Sequence, residues 1–399
     1  MYNSELNKYS SGDVIMELNA YAAELERTYG KDTVFNYTLG NPSVVPPESV
    51  YEAVRDLMNK TDQMAVHGYS PNPGFRNVRQ HIAEMINRKY GRELTLEHVY
   101  LVPGSCAGLA ILCKALTEPG DEFIVIAPYF TEYSAYVDAA GAKLVEVMVD
   151  PETFHLDNEA IRRAITPDTK AIIIDSPNNP SGAVYPEENL RCLSLVLREK
   201  EEEYGHPIFL ISDEPYREIV YGDTEVPYLM NLYKHTIVSY SYSKSLSLAG
   251  ERIAYLAFSE DIPDLPDLIR AVGGAGRIFG HACAPTLFQL ALLKCSDDLV
   301  DIAQYKENRD LLAGHLAKCG FEFVPPEGAF YILMKSPVVD AVRFAKEIAE
   351  KYHVIVVPTD AFGLPGYVRF AYCVPRDMIE RSLPALSSIA EEYLKGNRS

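Results

Sequence analysis

The chain has 399 residues, 47% of them hydrophobic and 23% charged, with a formal net charge of −19. That size asks for two domains, or for one large domain with a smaller one. So acidic a surface repels nucleic acid and anionic membranes, and neither is expected as a partner. No stretch approaches the uninterrupted apolar length of a membrane span, and the opening residues include acids and lack the apolar core of a secretory signal. Seven cysteines, an odd count without CxxC spacing, fit free thiols in a reducing cytoplasm. The nine histidines include no HxxxH or HExxH pair, so no metal site is expected.

Residues 49–59 and 76–90 have helical patterns. From about residue 98 to 258, short apolar runs alternate with longer amphipathic stretches. The runs are 99–102, 123–127, 144–149, 171–174, 208–211, 236–240 and 253–258, mostly β-branched or aromatic and bounded by Gly, Pro, Asp or Ser. Buried strands read this way. Residues 187–201, with Leu190, Leu193 and Leu197 on one face, predict one of the intervening helices. Strand–helix alternation implies a mostly parallel sheet sandwiched by helices. A long helical pattern over 286–318 then leads into a mixed tail, with strands expected at 330–334 and 367–372. The plausible domain break lies near residue 290.

In open parallel sheets, ligands bind beyond the carboxyl ends of the strands. The first run is followed by Pro103, Gly104, Ser105, Cys106, Ala107 and Gly108 opening a helix, where free backbone N–H groups favour an anion. A tight strand–helix turn wants the same glycines. The fourth run leads into Asp175-Ser176-Pro177-Asn178-Asn179-Pro180-Ser181-Gly182, a turn from which Asn179 either aims its amide into a site or forms an Asx turn. The fifth is followed by Asp213 and Tyr216, placed for a protonated nitrogen and an oxygen of one ligand, although a strand-end acid also serves as a helix cap. The sixth ends in Ser241, Ser243, Lys244 and Ser245, with Arg252 beyond. A lysine among serines at the end of an apolar strand suits a Schiff-base nucleophile, and an arginine nearby suits a phosphate.

Asn179-Pro180-Ser181-Gly182, Asp213 with Tyr216, and Ser241 with Lys244 and Arg252 stand in the order, and near the spacing, of fold-type I pyridoxal-phosphate enzymes. The chain resembles a class I/II aminotransferase of the aspartate aminotransferase superfamily, from Leu39-Gly40-Asn41-Pro42 to Gly363, Gly366 and Arg369. The resemblance implies an α/β fold with a seven-stranded, mostly parallel sheet and a smaller α+β domain. It implies an N-terminal arm over 1–47, a large cofactor-binding domain over 48–290 and a small domain over 291–399. It implies pyridoxal 5′-phosphate as a Schiff base on Lys244, which also moves the proton between Cα and C4′. Asp213 would pair with the pyridinium nitrogen, Asn179 and Tyr216 with the ring 3′-oxygen. The phosphate would meet the N–H groups of Ser105 and Cys106, the hydroxyls of Ser241 and Ser243, and Arg252. Phe130 falls where the family stacks an aromatic ring on the cofactor, or else is core packing. Tyr69 resembles the family's tyrosine that reaches the partner subunit's phosphate, which implies a homodimer with shared active sites. Arg369 would grip the substrate α-carboxylate, with Asn179 and the Gly40 backbone beside it.

Cys106 and Ala107 depart from the hydroxyl or acid that many relatives carry beside the phosphate. Arg277 lies one position from where dicarboxylate-specific relatives reach across the dimer; it reads an acidic side chain or is a surface arginine. The expected activity is transfer of an L-amino acid's amino group, an acidic donor such as aspartate included, to a 2-oxo acid such as 2-oxoglutarate. β-Elimination of the cysteine-S-conjugate lyase type is the alternative on the same residues, and an amino-acid sensor without catalysis is more remote.

Overall fold

The computed structural model describes residues 14–395, together with Leu6 and Tyr9. Most of the first thirteen residues of the expected arm, and the last four of the expected small domain, lie outside the described residues. Twelve strands form among the described residues: β1 (Phe35–Asn36), β2 (Val99–Val102), β3 (Glu122–Ala127), β4 (Lys143–Met148), β5 (Thr169–Asp175), β6 (Phe209–Asp213), β7 (Thr236–Ser241), β8 (Ala254–Phe258), β9 (Tyr331–Lys335), β10 (Val354–Ile355), β11 (Val357–Pro358) and β12 (Tyr367–Ala371).

Seven of these build one sheet in the order β2-β8-β7-β6-β5-β3-β4. All neighbours are parallel except β8, which runs antiparallel to both β2 and β7. Each of the seven expected strands is present, within two residues of its expected bounds. Their unbroken apolar runs have a physical reason. β3 is buried at every position because helices cover both faces, whereas the edge strand β4 buries only Val147 and leaves Lys143, Glu146 and Met148 exposed. Helices Ser105–Leu116, Glu132–Ala140 and Leu265–Ile278 share one apolar cluster with the sheet, and Asn158–Ala164 and Glu187–Tyr204 share another on the opposite side. Helix Glu187–Tyr204 shows how the sequence sets such an element. Acids at Glu187 and Glu188 complement its dipole, Leu190, Leu193 and Leu197 face inward, and left-handed Gly205 stops it.

A second core gathers Tyr305, Leu312, Phe330, Phe344, Phe370 and Leu386, and Phe35 and Tyr37 from near the start of the chain pack into it. Its strands form the sheet β11-β12-β9, while β1 pairs in parallel with β10. The helical stretch expected over 286–318 is instead two helices, Thr286–Cys295 and Ala303–Cys319. Tertiary contacts override the periodicity in between: the Val300 N–H bonds the Ser245 carbonyl at 2.9 Å, and Asp297 pairs with Arg88. Ala291, Leu292 and Cys295 pack with Val50, Ile82 and Leu101 beneath the main sheet.

Parallel strands end on one edge, and this brings the chemistry together. Asp175 and Asp213 are register partners at the ends of β5 and β6, and Ser241 ends the adjoining β7.

Candidate active site

A cleft of about 220 Å³ lies beyond that edge, lined on its far side by Tyr331 of β9 and Arg369 of β12. Lys244 projects into it from the short helix Tyr242–Ser245 that follows β7, and its ammonium donates to the Gly40 carbonyl at 2.6 Å. The amine also lies 5.4 Å from the Phe330 ring centre and 6.0 Å from that of Tyr216. Burial disfavours the charged form and lowers the Lys244 pKa to about 8; Arg252 and Arg369 push the same way, Cys373 and Cys106 against. An amine so poised supplies neutral nucleophile near physiological pH.

Asp213 is buried, accepts the Tyr133 hydroxyl at 2.8 Å on Oδ2, and leaves Oδ1 buried without a partner. Burial raises its pKa to about 7 in spite of the Tyr133 hydrogen bond. A buried carboxyl oxygen of this kind suits a cationic or N–H group of a ligand.

Opposite, the helix Ser105–Leu116 starts at Gly104 with no side chain capping it. Its first N–H groups are therefore available to an anion. Gly104 has φ +92°, and a Cβ there would lie 2.5 Å from Arg252 Nη2. Arg252 is itself left-handed (φ 53°) and donates to the Ala249 carbonyl at 2.9 Å, which holds its guanidinium at the cleft mouth. Ser241 Oγ donates to Ser243 Oγ at 2.7 Å and accepts the Ser243 N–H at 3.1 Å. Amides, hydroxyls and a guanidinium thus converge as an anion cradle. Cys106 lines it, but burial pushes its thiol pKa up, away from thiolate chemistry.

On the other wall, Arg369 is 2% exposed. It donates to Asn179 Oδ1 at 2.9 Å and to the Thr38 carbonyl at 2.7 Å, and lies over the rings of Tyr331 and Phe362. Its Nε has no partner. The Tyr216 hydroxyl bonds that of Tyr331 at 2.7 Å. Gly40 must be a glycine, since a Cβ there would overlap the Tyr331 hydroxyl.

Residues 32–386 match the sequence model of the family described as aminotransferase class I and II. The chain belongs to the class I and II aminotransferases. This aminotransferase is 34% identical over 383 residues to the aspartate/prephenate aminotransferase of Thermus thermophilus, covering 93% of this chain and 94% of the relative. A solved aminotransferase structure from Eubacterium rectale superposes with a TM-score of 0.95 at 44% identity, covering 98% of this chain and 99% of that one. Aspartate aminotransferase from Thermus thermophilus with maleate superposes at 0.83 with 30% identity, covering 94% and 96%. The seven-stranded, mostly parallel sheet of the aminotransferase is that of the fold-type I enzymes.

Of the site residues expected from sequence, Tyr69 and Arg277 stand apart. The others all line the cleft, with Phe130 at its wall. Tyr69 is 97% exposed beyond helix Gln63–His67, and Arg277 is exposed in the last turn of Leu265–Ile278. Sequence reading missed Asp175, Tyr331 and the Tyr133 hydroxyl. Asp175 directly precedes the turn at Asn179 and carried a signal as a strand-end acid. Tyr331 sits in a strand otherwise read only for its apolar pattern, and nothing local marks it.

Proposed function

We propose that this aminotransferase binds pyridoxal 5′-phosphate in the cleft, attached through Lys244, and transfers the amino group of an acidic L-amino acid to a 2-oxo acid such as 2-oxoglutarate. The observation that carries the reading is the convergence of a depressed-pKa amine, an unpartnered buried carboxyl oxygen and an anion cradle in one cleft. Those are the three groups the cofactor's aldehyde, ring nitrogen and phosphate require. When bound, pyridoxal phosphate supplies an aldehyde that condenses with primary amines and a ring that accepts the electron pair of the broken Cα–H bond.

The chain's own residues do the rest. Asp213 offers Oδ1 to the ring nitrogen; a positive charge there returns the carboxyl to its anionic form and keeps that nitrogen protonated. Asn179 Nδ2 and the Tyr216 hydroxyl serve the 3′-oxygen, and Phe130 covers one ring face. Ser105 and Cys106 N–H, Ser241, Ser243 and Arg252 hold the phosphate. Arg369 takes the substrate α-carboxylate and orients the Cα–H bond, and Lys244 takes and returns the Cα proton.

Gly104→Ala tests the cradle. At φ 92° and ψ 154°, a conformation essentially confined to glycine, a β-carbon strains the backbone by ~1–3 kcal/mol and displaces the Arg252 guanidinium, so affinity for pyridoxal phosphate should fall by roughly 10-fold or more in an equilibrium titration. Unchanged affinity would mean that the phosphate lies elsewhere.

An acidic donor is favoured by the aspartate-named relatives and by the structure solved with maleate, a dicarboxylate. A second copy of the chain would bring Tyr69 and Arg277 to the cleft. Exposed Met64, Tyr69 and Ile278 support such a face, and helix Gln63–His67 packs on Thr286–Cys295 beside it. The cytoplasm suits seven free thiols. A panel of amino donors against 2-oxoglutarate tests the substrate reading, with Arg277→Ala run beside the parent. The variant should lose roughly 10-fold or more in kcat/KM for aspartate and little for alanine or tyrosine. Equal losses across the panel would remove Arg277 from side-chain recognition. Release of pyruvate and ammonia without an oxo-acid requirement would replace transfer by elimination.

A further inference from the structure

Two carboxylic acids, not one, close the carboxyl edge of the sheet. Asp175 and Asp213 are register partners on neighbouring parallel strands, and both line the cleft. Both are 4% exposed. Asp175 Oδ2 accepts the Asn179 N–H at 2.8 Å, as Asp213 Oδ2 accepts Tyr133, and each acid leaves Oδ1 buried without a partner. Among the described residues no lysine or arginine pairs with either acid. Two neighbouring buried carboxylates repel each other, and each is costly without a counter-charge. On the reading above, the ring nitrogen supplies one positive charge, at Asp213. Nothing neutralises a second.

We propose that Asp175 is held as the neutral acid and acts as a positioning residue, so that the Asp175–Asp213 pair bears one negative charge rather than two. Its Oδ2 fixes the Asn179 backbone, and Oδ1 presents a proton to the cleft. The inference rests on the proposed cofactor reading only for the positive charge at Asp213.

Burial first, then the Asp213 charge, raises the Asp175 pKa well above the carboxylate range. A positive charge at Asp213 favours the anion of that acid, so the one proton of the pair falls to Asp175, which has no counter-charge. The other titratable groups that face it are Tyr133, Tyr185, Tyr216 and Tyr331, whose pKa values burial pushes up, so they stay neutral. Arg369 reaches Asp175 only through the Asn179 side chain and backbone. This linkage gives the neutral acid its use. An ionised Asp175 would place a second negative charge behind Asn179 and oppose the substrate carboxylate on Arg369; a neutral one holds Asn179 without that penalty.

Two variants distinguish the states. Asparagine copies a neutral acid in shape, acceptor and donor, so Asp175→Asn should keep kcat/KM within about 3-fold of the parent near neutral pH. Asp175→Ala loses the acceptor for the Asn179 N–H and should raise KM by roughly 10-fold or more, with kcat less affected. Infrared spectra of the holoenzyme, repeated after cofactor removal, should contain a protonated-carboxyl band near neutral pH that Asp175→Asn deletes. Asp175→Asn as damaging as Asp175→Ala, or an infrared band unchanged by Asp175→Asn, would overturn the proposal. The infrared readout on cofactor-free protein does not involve Lys244, so failure of the cofactor reading shows separately, as absence of a covalent adduct.

Discussion

Lys244→Ala is expected to lower transamination by about 10⁴-fold, the upper end of what one positioned acid–base group contributes. The variant should also lose the visible absorption of covalently held cofactor while retaining noncovalent affinity. The fold should survive, because the substitution removes a desolvated amine whose one protein hydrogen bond, at 2.6 Å, goes to the Gly40 carbonyl. The N–H groups that open helix Ser105–Leu116, Arg252 and Asp213 come from other elements and remain. Visible spectra and single-turnover rates on the refolding-competent variant check both parts. A variant that keeps the band and the rate would mean that another amine does the chemistry.

Arg369→Ala is expected to cost about 10²- to 10³-fold in kcat/KM, the range for truncating one member of a buried, hydrogen-bonded charge pair. The loss should be alike for aspartate, alanine and tyrosine, since all three present the same α-carboxylate. Two consequences add. The guanidinium leaves Asn179 Oδ1 and the Thr38 carbonyl without their donor, and the stacking against Tyr331 and Phe362 disappears. Arg369→Lys should recover only part of the loss, because a point charge replaces a planar fork. A defect confined to acidic donors would instead assign Arg369 to the side-chain carboxylate.

The main sheet was legible in the sequence because all its strands but the edge strand β4 are buried on both faces and so read as short unbroken apolar runs. Most of the cleft was legible for a related reason: parallel strands discharge their polar ends on one edge, so the residues after each run are neighbours in space. Asp213 and Lys244 came from that rule. Asp175 obeys it too, yet an acid before a proline-rich turn looks like turn chemistry until its unpartnered oxygen is seen. Tyr331 was illegible because it reaches Tyr216 from 115 residues away. The break at 296–302 was hidden since its cause, the Val300 bond to Ser245, is also remote in sequence. Tyr69 and Arg277 sit on exposed surface of the single chain, where a local pattern says nothing about what covers them.

The most direct measurement is borohydride reduction of the purified holoprotein, followed by peptide mass spectrometry. The account predicts one pyridoxyl adduct, on the peptide carrying Lys244 and on that residue. An adduct on a different lysine, or none at all, would contradict it.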